Sequence, residues 1–97
     1  MINSKQRAAL RKAAQTEEPI VHIGKDGVTE NVIVQADQAL EARELVKGTV
    51  QQNSSVSARE ACDAVCQATG ADSVGVIGRK FILYRQSSDK KNRKIKI

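Results

Sequence analysis

The chain has 97 residues, 40% hydrophobic and 28% charged, which is enough for one core and too little for two. No apolar stretch approaches the roughly 18 residues of a membrane span, the N-terminus lacks the apolar run of a secretory signal, and two cysteines are too few for a disulfide-built fold. A cytoplasmic, single-domain protein is therefore expected, and its net charge of +5 is divided into an acidic middle between two basic ends: residues 1–12 carry four cations and no acid, residues 13–78 ten acids against four cations, and residues 79–97 eight cations against Asp89.

The first segment, Ser4 to Gln15, reads as a helix capped by Asn3 or Ser4 and rich in alanine and long straight side chains. At 100° per residue Ala9, Leu10, Ala13 and Ala14 share one arc, and Lys5, Arg7, Arg11 and Lys12 take the exposed one. Ile20–Ile23, between Pro19 and Gly24, reads as a buried strand, with His22 a structural histidine inside it. The turn Gly24-Lys25-Asp26-Gly27 follows. A second helix starts near Thr29 and turns Val32, Ile33, Ala36, Ala39 and Leu40 inward, with Glu30, Asp37 and Glu41 outside.

Glu44–Val50 reads as the second strand. Ser57-Ala58-Arg59-Glu60 is a capping box that opens a third helix, with Ala61, Cys62, Val65 and Ala68 inward and Gly70 at its end. Ser73–Ile77 and Lys80–Arg85 read as strands joined by a hairpin turn at Gly78-Arg79. Lys80 and Tyr84 share a face of the last strand; Tyr84 is either a base-stacking residue or a half-buried edge tyrosine. The fold class is α/β, in the order α-β-α-β-α-β-β: a four-stranded mixed sheet with helices packed on it. Residues 1–86 form one domain, and residues 87–97 are expected to be a flexible basic tail.

The chemistry-bearing patterns are few. Between a strand and a helix, Gly24-Lys25-Asp26-Gly27 has the form of a GXXG loop, in which glycines let a nucleic-acid backbone approach and the helix N-terminus faces an anion. Lys25 adds a charge, and Asp26 suits the turn while opposing phosphate. The spacing does not fit a nucleotide phosphate-binding loop or a dinucleotide fingerprint. Cys62, Cys66 and the single histidine are too few for a zinc site, and no nucleophile–base pair stands out. No metal, cofactor, small-molecule substrate or membrane partner is expected. Two basic ends folded together would make a cationic face for a polyanion. With two aromatics in the chain, selectivity would rest on RNA shape rather than on a stacking platform. The rival reading is a protein-interaction module whose acidic second helix, through Glu30, Asp37 and Glu41, docks a basic protein.

The stretches Ser4-Lys5-Gln6-Arg7, Ile23-Gly24-Lys25-Asp26-Gly27-Val28-Thr29, Ala39-Leu40, Arg43-Glu44-Leu45-Val46-Lys47, Val76-Ile77-Gly78-Arg79 and Leu83-Tyr84-Arg85 resemble the CRM domain (chloroplast RNA splicing and ribosome maturation), in its stand-alone bacterial YhbY-like form. The resemblance runs from about residue 4 to 86. It implies a fold similar to the C-terminal domain of translation initiation factor 3, and a non-enzymatic, monomeric protein. The RNA partner it implies is ribosomal RNA of precursor large ribosomal subunits. The RNA-contacting residues would be Gly24, Lys25, Asp26 and Gly27, with Lys5, Arg7, Arg11 and Lys12, and with Lys80 and Arg85 beside them. Gly48 departs from the family's β-branched residue, which should weaken the second strand locally.

Overall fold

The computed structural model of the chain describes residues 2–93 and 95. The elements follow the expected order: α1 (Ser4–Ala14), β1 (Val21–Ile23), α2 (Glu30–Arg43), β2 (Leu45–Val50), α3 (Ala58–Thr69), β3 (Asp72–Ile77) and β4 (Lys80–Tyr84), with a 3-10 turn at Lys90–Asn92. Each helix begins where a side-chain oxygen replaces a missing backbone acceptor. Asn3 Oδ1 accepts from Gln6 N–H at 2.8 Å, and Ser57 Oγ from Glu60 N–H at 3.1 Å. Gln6 and Glu60 reach back to close both capping boxes. Thr29 Oγ1 accepts from Val32 N–H to start α2. Caps of this kind contribute about 1 kcal/mol each. Gly70, at φ +75°, closes α3.

The strand order is β1-β2-β4-β3. β1 and β2 pair parallel across the α2 connection, while β4 is antiparallel to both β2 and β3. The crossover through α3 therefore passes over β4 and leaves β1 and β3 as the two edges. Period-two alternation then sorts the core. Val21, Ile23, Val46, Val50, Phe81 and Leu83 face α2 and α3. Leu45, Ile82 and Tyr84 face α1 and pack with Leu10 and Ala14.

Several sequence-based expectations change. In α1, Ala9 and Ala13 are exposed, and the buried stripe is Leu10 and Ala14 with Arg7 on its flank. The helix is rolled so that Arg7 Nε donates to the Ser73 carbonyl at 3.2 Å, beside the β3 register shift between Ser73 and Gly75. In α3, Ala58 is buried and Ala68 is exposed. β1 is an edge strand with one covered face, because α1 lies over β2, β3 and β4; His22 points to the uncovered face and is exposed. Glu44 does not start β2. It caps α2 at φ +67°, and the strand begins one residue later.

Part of the expected tail is seated on the domain. Residues 87–93 pack along α2, and Ile95 packs against the α1-side core. The anchors are two carboxylates. Buried Glu44 accepts from Ser87 N–H at 2.9 Å and Ile95 N–H at 3.3 Å. Glu41 accepts from Ser88 N–H and Ser88 Oγ, both at 2.6 Å, and from Ser87 Oγ at 2.8 Å. The rest of the expected tail, residues 94, 96 and 97, lies outside the described residues.

The Glu41 contacts have a pH signature. Hydrogen bonds, chiefly from the Ser88 hydroxyl, favour the charged form and lower its pKa from 4.5 to about 2. A depressed folded-state pKa means that Glu41's contribution is complete above pH 4.5 and is lost as pH falls through about 2. The Ser88 amide resonance should therefore titrate with a midpoint near 2, and Glu41→Gln should abolish that titration. A midpoint at 4.5 would mean that Glu41 does not hold the tail.

Candidate nucleic-acid interface

At one end of the sheet lie the C-terminal ends of β1, β2 and β3 and the start of β4. The Gly24–Gly27 loop leaves β1 there and returns as a tight turn, Gly27 N–H donating to the Gly24 carbonyl at 3.1 Å. Lys25 and Asp26 at its tip are exposed. The loop rests on residues 51–56: Gln51 N–H bonds the Ile23 carbonyl, and Ser55 N–H bonds the Lys25 carbonyl. Two residues after Gly27, the N-cap of the 14-residue α2 follows, so a phosphate at the loop would meet the positive end of that helix dipole.

The two loop glycines differ. Gly27 is buried at φ +74°, and a Cβ there would stand 3.0 Å from Ser55 Oγ. Gly24 has no positive φ, and its Cβ would have only Gln51 Oε1 nearby, at 3.8 Å. Backbone conformation and packing thus favour glycine at 27. Nothing inside the protein requires it at 24.

The basic candidates do not form one cluster. Lys5 and Lys12 are exposed on the far side of α1. Arg7 and Arg11 lean over β3, the edge opposite the loop, where they line a groove of about 520 Å³ with Arg59 of α3, a residue the sequence reading did not single out. The aliphatic stem of Arg11 lies across Gly75, whose added Cβ would be 3.2 Å from Arg11 Cδ. Three inter-strand steps, about 14 Å, separate the two edges. Lys80 stands between them, exposed, at the start of β4.

Arg85 is committed elsewhere. Its guanidinium bonds Asp37 Oδ1 at 2.6 Å and the Thr69 carbonyl at 2.8 Å, with Glu41 Oε2 at 3.7 Å. It ties α2, α3 and β4 together rather than facing the loop end. The acidic face of α2 is correspondingly reduced, since Asp37 serves Arg85 and Glu41 serves both Arg85 and the tail; of the three carboxylates named for a basic partner, Glu30 stands apart from these contacts. Tyr84 is buried, and burial followed by the nearby Glu44 charge pushes its hydroxyl pKa up; its ring belongs to the core and is closed to a base. Cys62 and Cys66 sit on α3, the first of them in the core. Among the described residues no three His, Cys, Asp or Glu side chains gather into a metal-sized group.

Known proteins share this sequence and this fold. A profile of the CRS1 / YhbY (CRM) domain fits residues 2–85. The Probable RNA-binding protein YqeI of Bacillus subtilis is 37% identical over 91 residues, covering 94% of this chain and 95% of that protein. A protein of Haemophilus influenzae named RNA-binding protein is 31% identical over 90 residues, covering 93% of this chain and 91% of its own. The solution structure of a hypothetical protein from Staphylococcus aureus superposes with a TM-score of 0.81 at 38% identity, covering 99% of this chain and all of that one.

Proposed function

The chain belongs to the CRS1 / YhbY (CRM) domain family, and from that membership we propose that it is a non-catalytic, cytoplasmic, monomeric RNA-binding protein that holds ribosomal RNA of large-subunit precursors during assembly. The reading rests on one observation above the others: the Gly24–Gly27 loop stands at an open end of the sheet with a glycine at 24 that packing does not demand. A ligand backbone approaching closely supplies the missing demand. Lys25 and the start of α2 neutralise phosphate there. Lys80 continues the cationic surface toward Arg11 and Arg7, with Lys5 and Lys12 as outlying charge. Such contacts position RNA and release counterions without reading sequence.

The test is binding of a structured large-subunit ribosomal RNA fragment across a salt series, with circular dichroism as the check on fold. Lys25→Ala should lower affinity at every salt concentration and flatten the log–log salt slope by about 0.7–0.9. Arg85→Ala should leave the slope unchanged and lower thermal stability instead, because its partners are internal. An unchanged slope in Lys25→Ala would remove the loop from the interface.

A further inference from the structure

Where α1 ends, the sheet beneath it is left uncovered. On that face the pairing register lines up His22, Thr49, Lys80 and Ile77, one from each strand, in a row across the sheet. At the β3 end of the row is a groove of about 290 Å³. Its apolar lining is Ile77 with the buried Ala14 and Ile82 beneath, and Gln15 adds a polar side chain. Its walls carry Arg11, Lys47 and Lys80, and no acidic residue lines it. Lys47 is held in place by its Nζ, which donates to the carbonyl of Ala14, in the last turn of α1. Ile77 is 66% exposed, the more open of two large hydrophobic side chains left in solvent among the described residues.

One exposed isoleucine needs no explanation by itself. Its setting does. Ile77 stands open beside the buried Ala14 and Ile82, and three cations converge there with no acid lining the groove, a grouping whose mutual repulsion an arriving anion relieves. The combination fits a ligand with a flat apolar face and an attached anion. The volume lies at the small end of ligand sites, sufficient for one nucleotide.

We propose that this groove seats a single unstacked nucleotide of the bound RNA, its base on Ile77, Ile82 and Ala14 and its phosphates between Arg11, Lys47 and Lys80. The inference rests on the RNA-binding reading and adds a second point of contact to it. Unstacked bases are taken by aromatic and apolar surfaces and by arginine planes. In a chain whose tyrosine and phenylalanine are both buried, an aliphatic floor beside Arg11 takes that part. The row from His22 to Ile77 lays out the path: a strand gripped at Gly24–Gly27 crosses the sheet past Lys80 and reaches the groove.

The experiment uses the full chain and three probes: hexauridylate, hexaadenylate and a six-unit inorganic polyphosphate. Methyl resonances of Ile77, Ile82 and Ala14 are followed by NMR. Affinity for hexauridylate is measured across salt for wild type, Ile77→Ala and Gly24→Asp. Both oligonucleotides should shift the three methyls through base ring currents, and polyphosphate should not. Ile77→Ala should weaken hexauridylate binding by roughly three- to tenfold at an unchanged salt slope, because no charge is removed. Methyls that stay still, or that move equally with polyphosphate, would overturn the nucleotide seat. In that case Gly24→Asp still weakening the RNA would leave the loop reading standing. Wild type binding neither oligonucleotide at low salt would overturn the seat, while loss of binding to the structured ribosomal RNA fragment would overturn the reading beneath it.

Discussion

Gly48→Val should destabilise the protein by about 3 kcal/mol or more, at or above the upper end of ordinary overpacking. A Cβ at position 48 would collide with the Cζ end of the Phe81 ring, 2.5 Å from Cε1 and 2.8 Å from Cε2. The two residues are register partners across β2 and β4, and both are buried. Phe81 is fully buried in one cluster with Leu83, Val46 and the inner residues of α3, which leaves its ring little room to retreat. At about 4–8 °C per kcal/mol for a domain of this size, the melting temperature should fall by more than about 12 °C. Phe81→Leu alone opens a cavity and should cost roughly 1–2 kcal/mol. The double variant should be less destabilised than the sum of the two by at least about 1 kcal/mol, because each change makes room for the other. Strict additivity in urea denaturation would mean that the ring does not occupy the glycine's space. The expectation that Gly48 weakens β2 is thereby revised: the aromatic ring supplies the packing that a β-branched side chain would give.

Which parts of this molecule could be read from sequence follows from the range of the forces involved. α3 was readable almost to the residue, because a capping box, an apolar face and a terminal glycine all act within a dozen residues. The β3–β4 hairpin was readable for the same reason. The strand order was not, since inserting β4 between β2 and β3 is a long-range choice that leaves no local mark. Three further departures descend from it. His22 is exposed because β1 became an edge that α1 does not reach. Arg7 turned toward β3 because a register shift there offers a carbonyl. Arg85 is expected among the RNA contacts because Asp37, 48 positions away, is invisible as its partner in sequence. The seating of residues 87–89 is illegible for the same reason: a lysine-rich segment has the composition of a solvated tail, and only the fold places Glu41 and Glu44 beside it. In the candidate interface, the loop was legible as a motif. Lys47, Arg59 and Ile77 were not, because nothing in their local sequence distinguishes a groove-lining residue from an ordinary surface one.

The loop glycines offer the sharpest separation of folding from function. Gly24→Ala should leave stability unchanged or raise it by up to about 1 kcal/mol, since the backbone there is accessible to alanine and the unfolded chain loses entropy. A methyl meets only Gln51 Oε1, at 3.8 Å. Gly27→Ala should cost about 1–3 kcal/mol, because it forces a side chain into the left-handed region at φ +74° and against Ser55 Oγ. RNA affinity should order the variants differently. Measured below both melting transitions, Gly24→Ala should bind the ribosomal RNA fragment more weakly than wild type. Gly24→Asp should be weaker again, by roughly tenfold or more, as bulk and then charge are set against the phosphate. The folded fraction of Gly27→Ala should retain more affinity than Gly24→Asp, because its added methyl points into the 51–56 segment rather than outward. Melting temperature and affinity measured on the same three proteins decide the matter. If Gly24→Asp is as stable as wild type and binds RNA as tightly, the turn is only a turn, and the cationic surface over β3 and β4 must carry the RNA without it.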